Sequence, residues 1–308
     1  MPEFIPIAED PSRPVHVPVL LKEVLQNLQL ESGLVVVDGT VGAGGHSREI
    51  LRRIAPSGTL IGLDRDARML EIAAHQLSAF PSHLLQASYA ELPRVLAGLQ
   101  TPAVGRILLD LGLSSDQLAD ETRGFSFDST GPLDLRFDIR QGEPASELLA
   151  RLDEAHLAEL LERYGEEPNA RQVARNIIAR RQRHPIRTGR DLADAIVGTG
   201  PGSKSPARDQ RSGRHPATRV FQSLRIAVNQ ELEQLETMLG GVLYDSLKPG
   251  GIAVIITFQS LEDRLVKQAF REPKKWQPLS PKPITASPAE QRFNPRSRTA
   301  RLRAAKRL

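Results

Sequence analysis

From residue 34 the chain repeats one pattern: a short apolar run, a turn, then a segment whose apolar residues return every three or four positions. Residues 34–38, 59–64, 83–86 and 106–110 form the apolar runs. A strand packed on both faces has no solvent side and reads as a nearly continuous apolar run, so these runs predict a parallel sheet covered by helices. The amphipathic segments 45–54, 66–79 and 91–98 supply the helices, with Pro56, Pro81 and Pro102 marking their exits. Strand, turn, helix and strand in this order predict the first half of a Rossmann-like α/β sheet.

The alternation stops near residue 116. Between 116 and 217 no segment reads convincingly as a strand, while Leu148, Leu149 and Leu152, then Leu157, Leu160, Leu161 and Tyr164, then Val173, Ile177 and Ile178 recur at helical spacing. Thr188 with Asp191 three residues on has the form of a helix start. Residues 200–213, rich in Gly, Pro, Ser and basic side chains, predict a mobile loop. One long amphipathic helix is expected over 218–247, after which Pro249-Gly250-Gly251 turns into a buried strand over 252–258. The organisation expected is a Rossmann-like domain in two parts, 1–115 and 218–308, interrupted by a helical domain over 116–217 that forms a substrate cleft.

A length of 308 residues accommodates two modest domains. The chain has no cysteine, which excludes disulfides, thiolate metal sites and a cysteine nucleophile and agrees with a reducing cytoplasm. The longest apolar run, 252–256, is far short of a membrane span, and the first fifteen residues lack the apolar core of a signal peptide, so a soluble cytoplasmic protein is expected. An aromatic fraction of 4% argues against an aromatic platform for RNA.

The net charge of +4 conceals segregation. Residues 171–225 carry 13 basic and 3 acidic groups and residues 264–308 carry 13 and 2, so the remainder is strongly acidic. Basic stretches on an acidic chain suit a phosphate-rich partner, because each neutralised phosphate releases counterions. Solvated helix faces and a frayed tail would have the same composition.

The densest candidate chemistry is Asp38-Gly39-Thr40-Val41-Gly42-Ala43-Gly44-Gly45-His46, placed where the first strand turns into the first helix. Glycines let backbone approach a ligand closely, and a helix N-terminus presents free N–H groups to an anion. A tight turn without a ligand would also use glycine. Asp64 ends the second strand, where a carboxylate can accept both hydroxyls of a ribose. A dinucleotide fingerprint starting at Gly42 would require glycine at position 47, where Ser47 stands, so a pyrophosphate is disfavoured. Asp110 closes the fourth strand at the sheet edge where ligands of such folds bind, although an Asp there can equally cap a turn. The seven histidines are scattered and suggest no metal site.

Blocks spread along the chain resemble the bacterial ribosomal RNA small subunit methyltransferase H family, also called the MraW family. They run from His16-Val17-Pro18-Val19-Leu20-Leu21 through 38–46, 109–115, Arg123-Gly124-Phe125-Ser126-Phe127 and 131–136. His215-Pro216-Ala217-Thr218-Arg219, Ser260-Leu261-Glu262-Asp263-Arg264 and Asn294-Pro295-Arg296-Ser297-Arg298 complete the series in order. The resemblance implies a class I, Rossmann-like S-adenosylmethionine methyltransferase sheet with an inserted all-helical domain. It implies a cofactor site at Gly44, Gly45, His46, Asp64, Tyr89, Asp110 and Gln117. The implied reaction is N4-methylation of a cytosine in the decoding region of 16S ribosomal RNA, with the small ribosomal subunit as partner.

Several expectations follow from that reaction. It needs no covalent intermediate, in keeping with the absence of cysteine. Asp110, beside Ser114 and Ser115, is the candidate catalytic group against the amine, and Arg136, Arg219 and Arg264 are candidate RNA contacts. One departure stands out: Gln259 occupies the place of the family's usual histidine, which puts any general-base role there in doubt. The competing readings are a dinucleotide-dependent oxidoreductase and a non-catalytic RNA-binding ribosome assembly factor that retains the cofactor fold. A homodimer is compatible with the sequence but not specified by it.

Overall fold

A computed structural model describes residues 18–197, 215 and 217–308. The start of the first matching block at His16 and Val17, the expected loop over 200–213 and Pro216 lie outside the described residues. The strands are β1 (Val35–Asp38), β2 (Thr59–Asp64), β3 (Ser82–Gln86), β4 (Val104–Asp110), β5 (Leu247–Thr257), β6 (Trp276–Pro278) and β7 (Arg301–Arg307). They form one seven-stranded sheet in the order β3-β2-β1-β4-β5-β7-β6. The first five in this order pair in parallel, while β7 runs antiparallel to both β5 and β6. This is a Rossmann-like α/β fold, as the apolar runs require.

Both faces of the sheet are packed, and alternate residues of one strand serve opposite sides. Val37, Ile61, Leu109 and Ile255 join one apolar cluster, and Val36, Leu60, Leu108 and Val254 join the other. The helices Gly45–Ile54, Ala67–Gln76 and Leu92–Gly98 fall where periodicity places them.

The strands β6 and β7 were not legible in the sequence. Arg301–Arg307 carries charged side chains and two alanines, a weak strand pattern, and reads as basic tail. In the fold its arginines acquire partners: Arg301 and Arg303 both bond Asp263, and the Arg307 guanidinium sits 4.0 Å over the Tyr244 ring. Three of the 13 basic groups of residues 264–308 are therefore engaged in holding an edge of the sheet.

The inserted segment is helical, with Ala145–Arg151, Glu154–Gly165, Ala170–Arg183 and Gly189–Val197 around their own core of Leu148, Leu157, Leu161, Ile177 and Leu192. Thr188 and Asp191 cap the last of these helices reciprocally, the Asp191 N–H donating to Thr188 Oγ1 and the Thr188 N–H to Asp191 Oδ2 at 3.0 Å each.

The single long helix expected over 218–247 is instead broken. Ala217–Asn229 ends at Gln230, whose φ of 51° is left-handed, and Glu231–Thr237 follows in a new direction before a wide turn at Met238–Val242. Asn229 accounts for the first break: its Oδ1 accepts from the Phe137 N–H at 2.8 Å and its Nδ2 donates to the Leu135 carbonyl at 2.7 Å. Ala217, Val220, Phe221 and Leu224 belong to the core of the insert. The packing boundary thus falls at residues 229–230 rather than at 217.

Candidate active site

In an open parallel sheet, a crevice opens where neighbouring strands send their following helices to opposite faces. Here that point lies between β1 and β4, beyond Asp38 and Asp110. A cavity with an empty volume of about 1080 Å³, open solvent at its mouth included, occupies it. Of the sequence-derived cofactor residues, Gly45, His46, Asp64, Tyr89, Asp110 and Gln117 line this cavity. Gly44 does not; with φ at 91° it caps the helix Gly45–Ile54 from behind, packed against Leu77 and Ala73.

The turn after β1 is held from beneath by carboxylates. Buried Asp38 accepts from Ser47 Oγ at 2.7 Å and from the Thr40 N–H at 3.2 Å. That gives Ser47, the residue that departs from the dinucleotide pattern, a structural role. Asp64 Oδ2 accepts from the Gly42 N–H and its Oδ1 from the Asp66 N–H, both at 2.9 Å. Each carboxylate oxygen retains a second acceptor direction, so Asp64 can still receive hydroxyl groups. Burial pushes its pKa up to about 6, against the lowering effect of the two N–H donors. At Gly39 a Cβ would come within 2.4 Å of Leu109 Cδ2 and 3.0 Å of Tyr89 Cβ, so backbone alone fits there.

Asp110 enters the cavity from the end of β4, its N–H donating to Thr40 Oγ1 at 2.7 Å. Burial raises its pKa to about 7 and the nearby Arg296 guanidinium opposes the rise. His46 Nδ1 lies 3.6 Å from Asp110 Oδ2, and His46 Nε2 lies 3.0 Å from the Val19 carbonyl. Since a carbonyl only accepts, Nε2 carries the hydrogen and Nδ1 turns its lone pair to Asp110. Burial lowers the His46 pKa, so the ring is neutral. The other oxygen, Asp110 Oδ1, is buried and without a partner, an arrangement that calls for a donor from a ligand.

Tyr89 stands on the cavity wall with its hydroxyl 3.5 Å from the Glu231 carbonyl, and burial pushes its pKa up. Gln117 is a wall residue whose amide is already engaged: Nε2 donates to Asp66 Oδ2 and Oε1 accepts from the Ser114 N–H, both at 2.9 Å. Its contribution is to fix the loop after β4 to the end of β2.

Other lining residues were not legible as site residues in the sequence. Glu231, Gln234, Leu235, Glu262 and Arg296 line the cavity, together with Phe137 from the insert. Glu262 is buried; burial raises its pKa to about 7, the Phe258 N–H bond opposes this, and Glu231 adds to it. Arg225 forks onto Glu231 at 2.7 and 2.9 Å and its charge also acts on Glu262, so these two carboxylates share one guanidinium. Arg296 donates to Ser115 Oγ at 3.2 Å and to the Leu113 carbonyl. The signals available were the 260–264 and 294–298 blocks for Glu262 and Arg296; for Glu231 there was none. Gln259 does not line the cavity.

The candidate RNA contacts divide. Arg136 bonds both oxygens of Asp134 at 2.7 Å and donates to the Gly142 carbonyl at 3.0 Å, so it pins its own loop with three of its five donors. Arg219, on the helix Ala217–Asn229, donates to the Glu166 carbonyl at 3.2 Å, and exposed Arg264, on the helix Ser260–Ala269, donates to Glu166 Oε1 at 3.3 Å, so the two converge on one residue. Among the described residues no group of His, Asp and Glu could hold a metal, and no helix is long and apolar enough to cross a membrane.

Residues 13–308 match the MraW methylase family. A protein of Sorangium cellulosum named ribosomal RNA small subunit methyltransferase H is 46% identical over 95% of this chain and 91% of its own length. The protein of the same name from Thermomicrobium roseum is 45% identical over 97% of this chain and 96% of its own. A third, from Geotalea uraniireducens, is 43% identical over 95% and 98%. The blocks read in the sequence and the cavity they surround thus agree with matches over almost the entire length, and the chain belongs to the MraW methylase family.

Proposed function

We propose that the protein transfers a methyl group from S-adenosylmethionine to the N4 amine of a cytosine in the decoding region of 16S ribosomal RNA, acting on the small ribosomal subunit in the cytoplasm. The observation that carries the chemistry is the unpartnered Asp110 Oδ1, buried in the β1/β4 cavity beside a turn that only glycine backbone fits.

The residues present suit the cofactor. Gly45 and His46 open a ten-residue helix whose first N–H groups lack helical acceptors and suit a carboxylate. Asp64 suits ribose hydroxyls, and the walls of Tyr89 and Leu111 suit adenine. The cavity carries Asp64, Asp110 and Glu262, all with raised pKa, so it favours a cationic ligand that restores their ionised forms. Bound there, S-adenosylmethionine supplies an electrophilic methyl on a positively charged sulfur.

The cytosine amine is a weak nucleophile because its lone pair is delocalised into the ring. Asp110 Oδ1 accepts one N–H of that amine and favours the pyramidal form, while the loop 111–115 fixes the base. With the methyl donor bound, transfer would leave the carbon–sulfur electron pair on sulfur and the surplus amine proton would pass to Asp110, whose pKa of about 7 suits a base at neutral pH. His46 Nδ1 lies 3.6 Å from the other oxygen, Oδ2, so the neutral ring borders the carboxyl group on the side away from the amine. The target base must leave its stack to reach Asp110.

Incubation of undermethylated small subunits with methyl-labelled cofactor, followed by mapping of the labelled nucleotide, tests the reading. Label at N4 of one decoding-region cytosine is expected. Absence of transfer from a protein that binds the cofactor would favour the non-catalytic assembly factor, and label elsewhere would replace the substrate.

A further inference from the structure

Phe293 is 89% exposed, the most exposed of the large hydrophobic side chains among the described residues. It ends the helix Pro288–Phe293, and the chain goes directly on to Arg296, which reaches the cavity and bonds the loop after β4 at Ser115. The helix is anchored on its other side as well, Glu290 Oε1 accepting from the Leu20 N–H at 2.7 Å beside the cavity residue Pro18. The ring therefore sits on the segment that leads into the cavity, three residues before Arg296, whose side chain lines it.

Its neighbours define the chemistry. Arg292 and Arg298 are exposed and make no ion pair or hydrogen bond among the described residues, unlike Arg136, Arg219 and Arg264, which all have acidic or carbonyl partners. An exposed ring between unpaired arginines suits a partner that is both flat and anionic. Unpaired nucleotides combine these features, since bases stack on aromatic faces while phosphates take the guanidinium groups. A second copy of this chain would offer the ring its own Phe293 or Ile139, but not the alternation of flat faces and phosphates that suits a ring flanked by arginines, and the oligomeric state of Phe293→Ala separates that case.

We propose that Phe293 stacks on an unpaired RNA base next to the target cytosine, with Arg292 and Arg298 on the flanking phosphates, so that this segment holds the strand open while the target enters the cavity. The inference rests on the proposed RNA substrate. It assigns binding, not chemistry, to the segment, and one ring suffices where the low aromatic content excludes a platform.

The test measures methyl transfer to undermethylated small subunits by wild type, Phe293→Ala, Phe293→Leu and Phe293→Trp, alongside cofactor affinity by calorimetry. The proposal expects KM for subunits to rise about 5- to 100-fold in the Ala and Leu variants and to return toward wild type in the Trp variant. Cofactor affinity and melting temperature should not change. Unchanged KM in the Ala variant, or full rescue by Leu, overturns it, as does a wild-type dimer that dissociates on Phe293→Ala. Should wild type transfer no methyl at all, the substrate reading fails separately. Titration of a decoding-region RNA carrying 2-aminopurine beside the target then decides the stacking: quenching lost in Phe293→Ala supports it, and equal quenching overturns it.

Discussion

The two walls of the cavity are built on different principles. The wall from β1 and β2 is made of backbone: Gly39 tolerates no side chain, Gly42 is gripped by Asp64, and Gly45 approaches Pro18 so closely that a Cβ would lie 2.8 Å from its Cγ. The wall from Glu231, Glu262 and Arg296 is made of charged side chains on segments remote in sequence, balanced by Arg225 from the insert-facing helix Ala217–Asn229. The first wall sets shape and the second sets charge. A ligand that is both nucleoside-like and cationic needs the two together.

The largest effect should come from the residue between the walls. Asp110→Ala is expected to lower kcat by about 10²- to 10⁴-fold, a larger effect than its loss of cofactor affinity, which calorimetry reads separately. Turnover near wild type would remove Asp110 from the mechanism. Next comes the charged wall: Arg225→Met leaves Glu231 and Glu262 without their cation, and such a loss costs about 3–5 kcal/mol of stability. Urea unfolding reads it, and the penalty should shrink at low pH, where the carboxylates are protonated. A small loss at all pH values would mean that water reaches Glu231.

The backbone wall should respond differently. Gly39→Ala drives a methyl group into Leu109 and Tyr89, for an overpacking cost of about 1–3 kcal/mol that does not depend on pH. Calorimetry should show weakened cofactor binding beside the lower stability, and unchanged binding would show that the turn can move aside.

The smallest effect is a gain. Asp64, Asp110 and Glu262 hold their protons more tightly folded than unfolded, so their contribution to stability is complete below about pH 4 and is lost as pH rises through about 6 to 7. The facing groups are Asp66 and Asp38 at Asp64, His46 and Arg296 at Asp110, and Glu231 and Arg225 at Glu262. Glu262→Gln should therefore stabilise the cofactor-free protein by about 1–2 kcal/mol at pH 8 and have no effect at pH 4. Thermal unfolding across that range checks it, and a variant less stable at pH 8 would reverse the sign assigned to this wall.

Legibility followed sequence distance. The strands β1 to β5, the glycine turn, Asp64 and Asp110 were readable because their signals are local: apolar runs, turn residues, and an acid at a strand end. The capping pair Thr188 and Asp191 was readable for the same reason. The break at Gln230 was not, because Asn229 makes its decisive bonds to Leu135 and Phe137, more than ninety residues away. Neither was β7, whose arginines look like tail until Asp263 and Tyr244 are seen beneath them.

By itself the sequence determined the architecture and one side of the cavity, since periodicity and glycine placement act through the backbone within a few residues. Only the tertiary structure decided which charges line the cavity, which arginines are already paired, and which ring is left exposed. An ionisable group's role depends on burial and on what lies within a few ångströms, and in this chain those neighbours come from segments up to 270 residues apart.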